Sequence, residues 1–221
     1  MPRPHPSPNH SARRDGLRPE LVVLHFTAMQ DSAAALARLS SPAHEVSAHY
    51  LIDRDGTLFQ LVEEQRRAWH AGAGSWGGAG DVNSRSIGIE LDNDGRSPFA
   101  APQIDRLEQL LGTLLHRWQI PPKGVIGHSD LAPTRKADPG RRFDWRRLAL
   151  QGLSVWPAPA ADLPADPAAF LAAAARFGYP TEHGLAPILT AFRLRFRPWA
   201  SGPLAPADMA AITDLARRHP A

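Results

Sequence analysis

Leu21-Val22-Val23-Leu24-His25-Phe26 and Gly124-Val125-Ile126-Gly127-His128-Ser129-Asp130 are the stretches on which the fold turns. Each is a short apolar run bounded by turn residues, which reads as a buried strand. The first carries a histidine at its end, and the second delivers one just beyond its last glycine. One histidine at a strand end could be a satisfied core residue; two, on separate strands, point to a site. Imidazole nitrogen and carboxylate oxygen are good zinc ligands, and three protein ligands leave a fourth position for water. Such a water is acidified at neutral pH, which makes hydrolysis the natural chemistry. Two carboxylates compete for the third place. Lys136 and Asp138 are two residues apart on the stretch His128 to Gly140, so on an extended chain they face one centre together. Asp130 is so near His128 that a capping or supporting role suits it better.

Outward from these strands the elements alternate. Asp31 to Leu39 is alanine- and leucine-rich with Asp31 or Ser32 as N-cap, a helix. Ala48–Ile52 and Thr57–Val62 flank Arg54-Asp55-Gly56, a hairpin. Ile87 to Leu91 is a further strand with Glu90 near its end, and Pro102 to Trp118 carries leucines at helical spacing. Asp144 to Leu150 reads as a short closing helix, and residues 1–20 as an extended arm. The glycine-dense segment Ala71 to Gly80 has no period and is expected to touch substrate, a plain connector being its alternative. The pattern predicts an α/β fold, a mixed central sheet flanked by helices, followed by a small three-helix domain. The expected divisions are 1–153, a Pro/Ala-rich linker at 154–166, and helices over 167–221 (about Pro167–Phe177, Leu185–Phe196 and Pro206–Arg218) across which few contacts need pass.

Composition narrows the function. The 221 residues include no cysteine, which excludes disulfides, thiolate metal sites and cysteine nucleophiles. Net charge is +3 despite a pI near 9.9, and no basic run is interleaved with aromatics, so nucleic acid is not an expected partner. No apolar run approaches membrane-spanning length, so no membrane insertion is expected. Met1 to Pro8 has neither the apolar stretch of a secretory signal nor a lipoprotein cysteine. The chain as written is therefore expected in the cytoplasm, or in the periplasm if trimmed.

Several strings, in order, carry a family resemblance: Leu24-His25-Phe26-Thr27, Ser47-Ala48-His49-Tyr50-Leu51-Ile52, Ala68-Trp69-His70-Ala71-Gly72, Ser86-Ile87-Gly88-Ile89-Glu90-Leu91, Gly127-His128-Ser129-Asp130, Arg135-Lys136-Ala137-Asp138-Pro139-Gly140 and Phe143-Asp144-Trp145. Over roughly residues 17–150 the chain resembles the zinc-dependent N-acetylmuramoyl-L-alanine amidases of the AmpD and AmiD type, whose fold is shared with peptidoglycan-recognition proteins. The resemblance implies zinc ligands His25, His128 and Asp138, with Glu90 as general base or proton shuttle and Lys136 stabilising the oxyanion. It implies cleavage of the bond between the N-acetylmuramic lactyl group, or its 1,6-anhydro form, and L-alanine of the stem peptide. Peptidoglycan polymer or its fragments would be the partner. Tyr50 reads as a packing residue, with a substrate contact as its alternative, since some relatives place a tyrosine near the metal. His70 is expected against substrate, with a core role as its alternative, and Arg67 and Asn83 against saccharide or peptide.

Phe177-Gly178-Tyr179 and Thr190 to Pro198 resemble a three-helix peptidoglycan-binding domain. The family's later glycine, aspartate and threonine pattern is degraded at Gly202 to Asp208, which leaves a structural appendage as the alternative. The rival to an enzyme is a non-catalytic peptidoglycan-recognition protein that has lost its metal, which the intact ligand set argues against. Absence of a signal favours soluble muropeptide as substrate, and the helical segment favours polymer.

Overall fold

Strands of the computed structural model, which describes residues 1–159, 161 and 163–221, are β1 (Arg3–Pro4), β2 (His10–Ala12), β3 (Leu21–Phe26), β4 (Tyr50–Ile52), β5 (Leu58–Gln60), β6 (Arg66–Ala68), β7 (Ser86–Leu91) and β8 (Val125–Gly127). Helices are α1 (Ser32–Leu39), α2 (Val82–Arg85), α3 (Ala101–Trp118), α4 (His128–Leu131), α5 (Trp145–Leu150), α6 (Pro167–Phe177), α7 (Leu185–Phe196) and α8 (Pro206–Arg218). Six strands form a mixed sheet in the order β1-β5-β4-β7-β3-β8, and β2 pairs with β6 in a separate antiparallel ribbon. The fold is the α/β architecture expected, a central mixed sheet between helices.

The central strands β7, β3 and β8 are parallel and buried on both faces, which is why they read as near-continuous apolar runs. Register decides what each face carries. Val22 and Leu24 of β3 join Ile87, Ile89 and Leu91 of β7 against Leu107, Leu111 and Leu114 of α3. Leu21, Val23 and His25 point to the opposite face, level with Ser86, Gly88 and Glu90. That second face is apolar at its base and polar at the carboxyl ends of the strands, where parallel sheets bind ligands. Asp31 caps α1 by accepting from the Ala34 N–H at 2.8 Å, and α1 then covers Leu51 beside the polar end.

Packing adds to one expectation and corrects two others. The arm 1–20 is extended but clamped into the fold. The Arg13 guanidinium donates to the carbonyls of Glu64 (2.7 Å), Ser84 (2.8 Å) and Ser86 (3.0 Å). The glycine-dense segment does not line the cleft. It carries Trp76 into an edge-to-face stack on Phe177 and Tyr179, and the Gly77 N–H donates to Gly178 O at 2.9 Å. Nor are contacts between the sheet and the C-terminal helices few. Leu21, Val23, Trp76, Ile126 and Leu131 share one apolar cluster with Phe170, Phe177, Phe192, Phe196, Ile212 and Leu215. Within the expected linker, residues 160 and 162 lie outside the described residues, while Val155 belongs to that same cluster.

Candidate active site

Three side chains converge at the carboxyl ends of the parallel strands. His25 ends β3, His128 opens α4 directly after β8, and Asp138 arrives on the following loop. His25 Nδ1 lies 3.0 Å from His128 Nδ1 and 2.9 Å from Asp138 Oδ2, and the third side of the triangle is 3.1 Å. The hydrogen bonds behind the rings fix which nitrogen carries the proton. The Ser86 hydroxyl donates to Val82 O at 2.5 Å, so it accepts from His70 Nε2–H at 3.2 Å. Neutral His70 thus presents a bare Nδ1, which accepts from His25 Nε2–H at 3.1 Å. His128 Nε2–H donates to Ala71 O at 2.8 Å.

Both rings thus turn Nδ1 toward Asp138 Oδ2. Burial, reinforced by the neighbouring His128, drops the His25 pKa to about 4, so the ring is neutral at physiological pH. Burial opposes ionisation of Asp138, but His128 and His25 at hydrogen-bond distance outweigh it and hold the carboxyl well below the usual range. Three ligand atoms, two imidazole nitrogens and a carboxylate oxygen, thus lie within 3.1 Å of one another around one point. These residues can hold a metal ion. The donor set fits zinc. Ligand atoms about 2.0–2.1 Å from zinc at tetrahedral angles stand about 3.3 Å apart, close to the triangle observed.

The triangle opens on a cleft of about 290 Å³ whose walls include Phe26, Met29, Arg38, Trp69, Glu90 and Lys136. Glu90 stands beside His25 in register, and its Oε2 is buried with no hydrogen-bond partner among the described residues. Burial, then the nearby Asp138 charge, pushes its pKa up to about 8, with Lys136 acting in the other direction. Lys136 itself is exposed at the cleft wall.

The expected substrate residues fare differently. His70 reaches the cleft but lies beneath His25, as its hydrogen-bond partner, flat against the space left by Gly88. Tyr50 does not reach the cleft. It packs on the α3 face, and its hydroxyl donates at 2.6 Å to Glu64, which also accepts from Arg117 and Trp118. Arg67 is paired with Asp81 at 2.9 Å, and Asn83 Oδ1 accepts from the backbone N–H groups of His70 (3.1 Å) and Ala71 (2.8 Å). Asn83 thus shapes the loop that carries His70. Arg38, a basic residue on an amphipathic helix, carries no local signal that separates it from a solvated face. Only the fold of α1 against β4 brings it to the cleft wall.

The geometry agrees with what comparison with known proteins finds. AmiD of Escherichia coli is 36% identical over 228 residues, spanning 89% of this chain and 82% of that protein. AmpD of Enterobacter cloacae is 35% identical over 65% of this chain and 86% of its own length. The solved structure of E. coli AmiD with anhydro-N-acetylmuramic acid-L-Ala-D-gamma-Glu-L-Lys superposes with a TM-score of 0.82 at 35% identity, covering 94% of this chain and 92% of that one. AmpDh3 of Pseudomonas aeruginosa in complex with anhydromuramic pentapeptide gives 0.85 at 33% identity, covering 96% of each. The sequence profile described as N-acetylmuramoyl-L-alanine amidase matches residues 15–141, a span that takes in both histidines, Glu90, Lys136 and Asp138, and by that match the chain belongs to the N-acetylmuramoyl-L-alanine amidase family.

Proposed function

We propose that this chain is an N-acetylmuramoyl-L-alanine amidase that hydrolyses the amide between the lactyl group of N-acetylmuramic acid, or its 1,6-anhydro form, and L-alanine of the stem peptide. His25, His128 and Asp138 would hold zinc, which when bound supplies an acidified water and polarises the scissile carbonyl. The observation that carries this reading is the triangle of three ligand atoms from His25, His128 and Asp138 opening on the cleft. Glu90 accepts the proton of the attacking water and passes it to the alanine nitrogen as the C–N bond breaks. Burial raises its pKa to about 8, and a divalent cation held by His25, His128 and Asp138 would favour its ionised form. Lys136 offers its ammonium to the oxygen on which negative charge develops. Arg38, on the wall formed by α1, would offer its guanidinium to a stem-peptide carboxylate entering the cleft.

The three-part division at 1–153, 154–166 and 167–221 belongs to this reading as a division of labour: every proposed chemical group lies in the first part. The bound peptides of AmiD and AmpDh3 support anhydromuramyl fragments as substrate. The test is a digest of purified anhydro-muropeptide by chelator-stripped protein and by the same protein reloaded with zinc, read by mass spectrometry. Release of a peptide beginning with L-alanine only after reloading is expected. Cleavage at another bond, or none in the zinc-loaded protein, would sink the proposal.

A further inference from the structure

We propose that Arg195 and Tyr179, both from the C-terminal helical segment, are positioning residues for the metal ligand His128 and act through Asp130. This rests on the metal reading above. Asp130 is fully buried two residues beyond His128, in the four-residue helix α4 that His128 opens. Its Oδ2 accepts from the Gly127 N–H at 2.8 Å and so ties down the residue just before the ligand. The same oxygen accepts from Arg195 Nη1 at 2.9 Å, and Oδ1 accepts from the Tyr179 hydroxyl at 2.8 Å. Arg195 also donates from Nη2 to Val125 O at 2.8 Å. One guanidinium therefore grips both ends of the 125–130 segment, strand start and turn, with His128 between its two holds.

Arg195 is an expensive residue to bury. Its side chain is 1% exposed and that of Asp130 0%, and the arginine Nε finds no partner among the described residues. Packing alone would be served as well or better by an apolar side chain of the same volume. The guanidinium is also fixed in orientation, 4.5 Å from the Trp145 ring centroid and 4.8 Å from that of Phe196. Groups behind metal ligands set ligand direction, and their loss commonly weakens metal binding about 10–100-fold. The His128 ring is steered by Ala71 O, which leaves its backbone to be steered by Asp130.

The test uses the full chain and compares Arg195→Met and Tyr179→Phe with a matched control. Arg193→Met breaks another buried ion pair of the same helices, to Asp208 at 2.5 Å, without touching Asp130. Zinc affinity is read by chelator competition, unfolding by urea, and kcat and KM on a small soluble anhydro-muropeptide. Arg195→Met and Tyr179→Phe should weaken zinc binding about tenfold or more. At saturating zinc they should lower kcat with KM little changed, while Arg193→Met keeps zinc affinity within about twofold. Should Arg195→Met fail to fold, Tyr179→Phe, which removes one hydroxyl, decides the matter. Wild-type zinc affinity in Tyr179→Phe and in any folded Arg195 variant would overturn the positioning role and leave the metal reading standing. Wild-type protein that binds no zinc would overturn both.

Discussion

His25 and Glu90 stand opposite one another on adjacent parallel strands, and burial moves their ionisation in opposite directions. It penalises the charged form of each, so the imidazole falls to about 4 and the carboxyl rises to about 8. If Glu90 and Lys136 act on the reacting atoms and not on the metal, Glu90→Gln and Lys136→Ala should keep full zinc occupancy. Turnover should fall about a hundredfold or more, and near-wild-type kcat would remove that residue from the mechanism. A second prediction concerns metal-free protein and pH. Folded His25 and His49 titrate near 4 and near 3, His70 is also held well below 6.5, and burial is the leading cause for each. Unfolded chains bind these protons below about pH 6.5, so stability falls as pH drops from there toward 4, at about 1.4 kcal/mol per unit per ring. Glu90 opposes this, since a raised carboxyl favours the folded state as pH falls from about 8 to its unfolded value. One carboxyl against three rings leaves a net loss toward acid. Urea unfolding of the stripped protein at pH 7 and pH 4.5 measures it, and equal stability at both would show the rings to be solvated.

At the level of the element, two glycines in regular structure make opposite predictions. Gly88 sits mid-strand in β7, and a Cβ there would meet the His70 ring at 2.4 Å. Gly88→Ala should force the ring off the line joining His25 to Ser86. The expected cost is about 1–3 kcal/mol by urea unfolding, with weaker zinc binding beside it. Gly112 lies inside α3 with nothing within 4 Å of its virtual Cβ. Gly112→Ala should stabilise by about 0.5–1 kcal/mol, because alanine loses less backbone freedom on folding. A destabilised Gly112→Ala, or a neutral Gly88→Ala, would show that these contacts are misjudged. The elements themselves were legible because their signals are local. The leucine spacing of α3, the Asp31 cap of α1 and the Asp-Gly turn between β4 and β5 need no distant partner. The role of Gly88 was not legible, since the ring it admits comes from a segment 18 residues earlier in the chain.

For the whole molecule, the shared apolar cluster replaces the picture of two loosely tethered units. A chain ended at Gly152 would strip Leu21, Val23, Trp76, Ile126 and Leu131 of the phenylalanines that cover them. Each large apolar side chain returned to water costs about 1.5–3 kcal/mol, and a domain holds only about 5–15 kcal/mol in all. That fragment should be aggregated or unfolded, as judged by solubility and circular dichroism. A soluble, zinc-loaded and active fragment would restore the tethered picture. Sequence by itself determined the α/β class, the two histidines at strand ends, the Lys136–Asp138 stretch and the three C-terminal helices. Those follow from apolar period and turn chemistry, which act within a few residues. Tertiary structure alone decided which face each strand residue takes. Alternation says that Tyr50 and Leu51 point opposite ways, but only the pairing of Leu51 with Glu90 puts Leu51 on the side of the site and Tyr50 against α3. It also decided that the glycine-dense loop serves as a mount for helices, and that Arg195, a residue type that ordinarily stays in water, is buried on Asp130. Period is a property of neighbours along the chain; register and burial are properties of segments that meet only once it has folded.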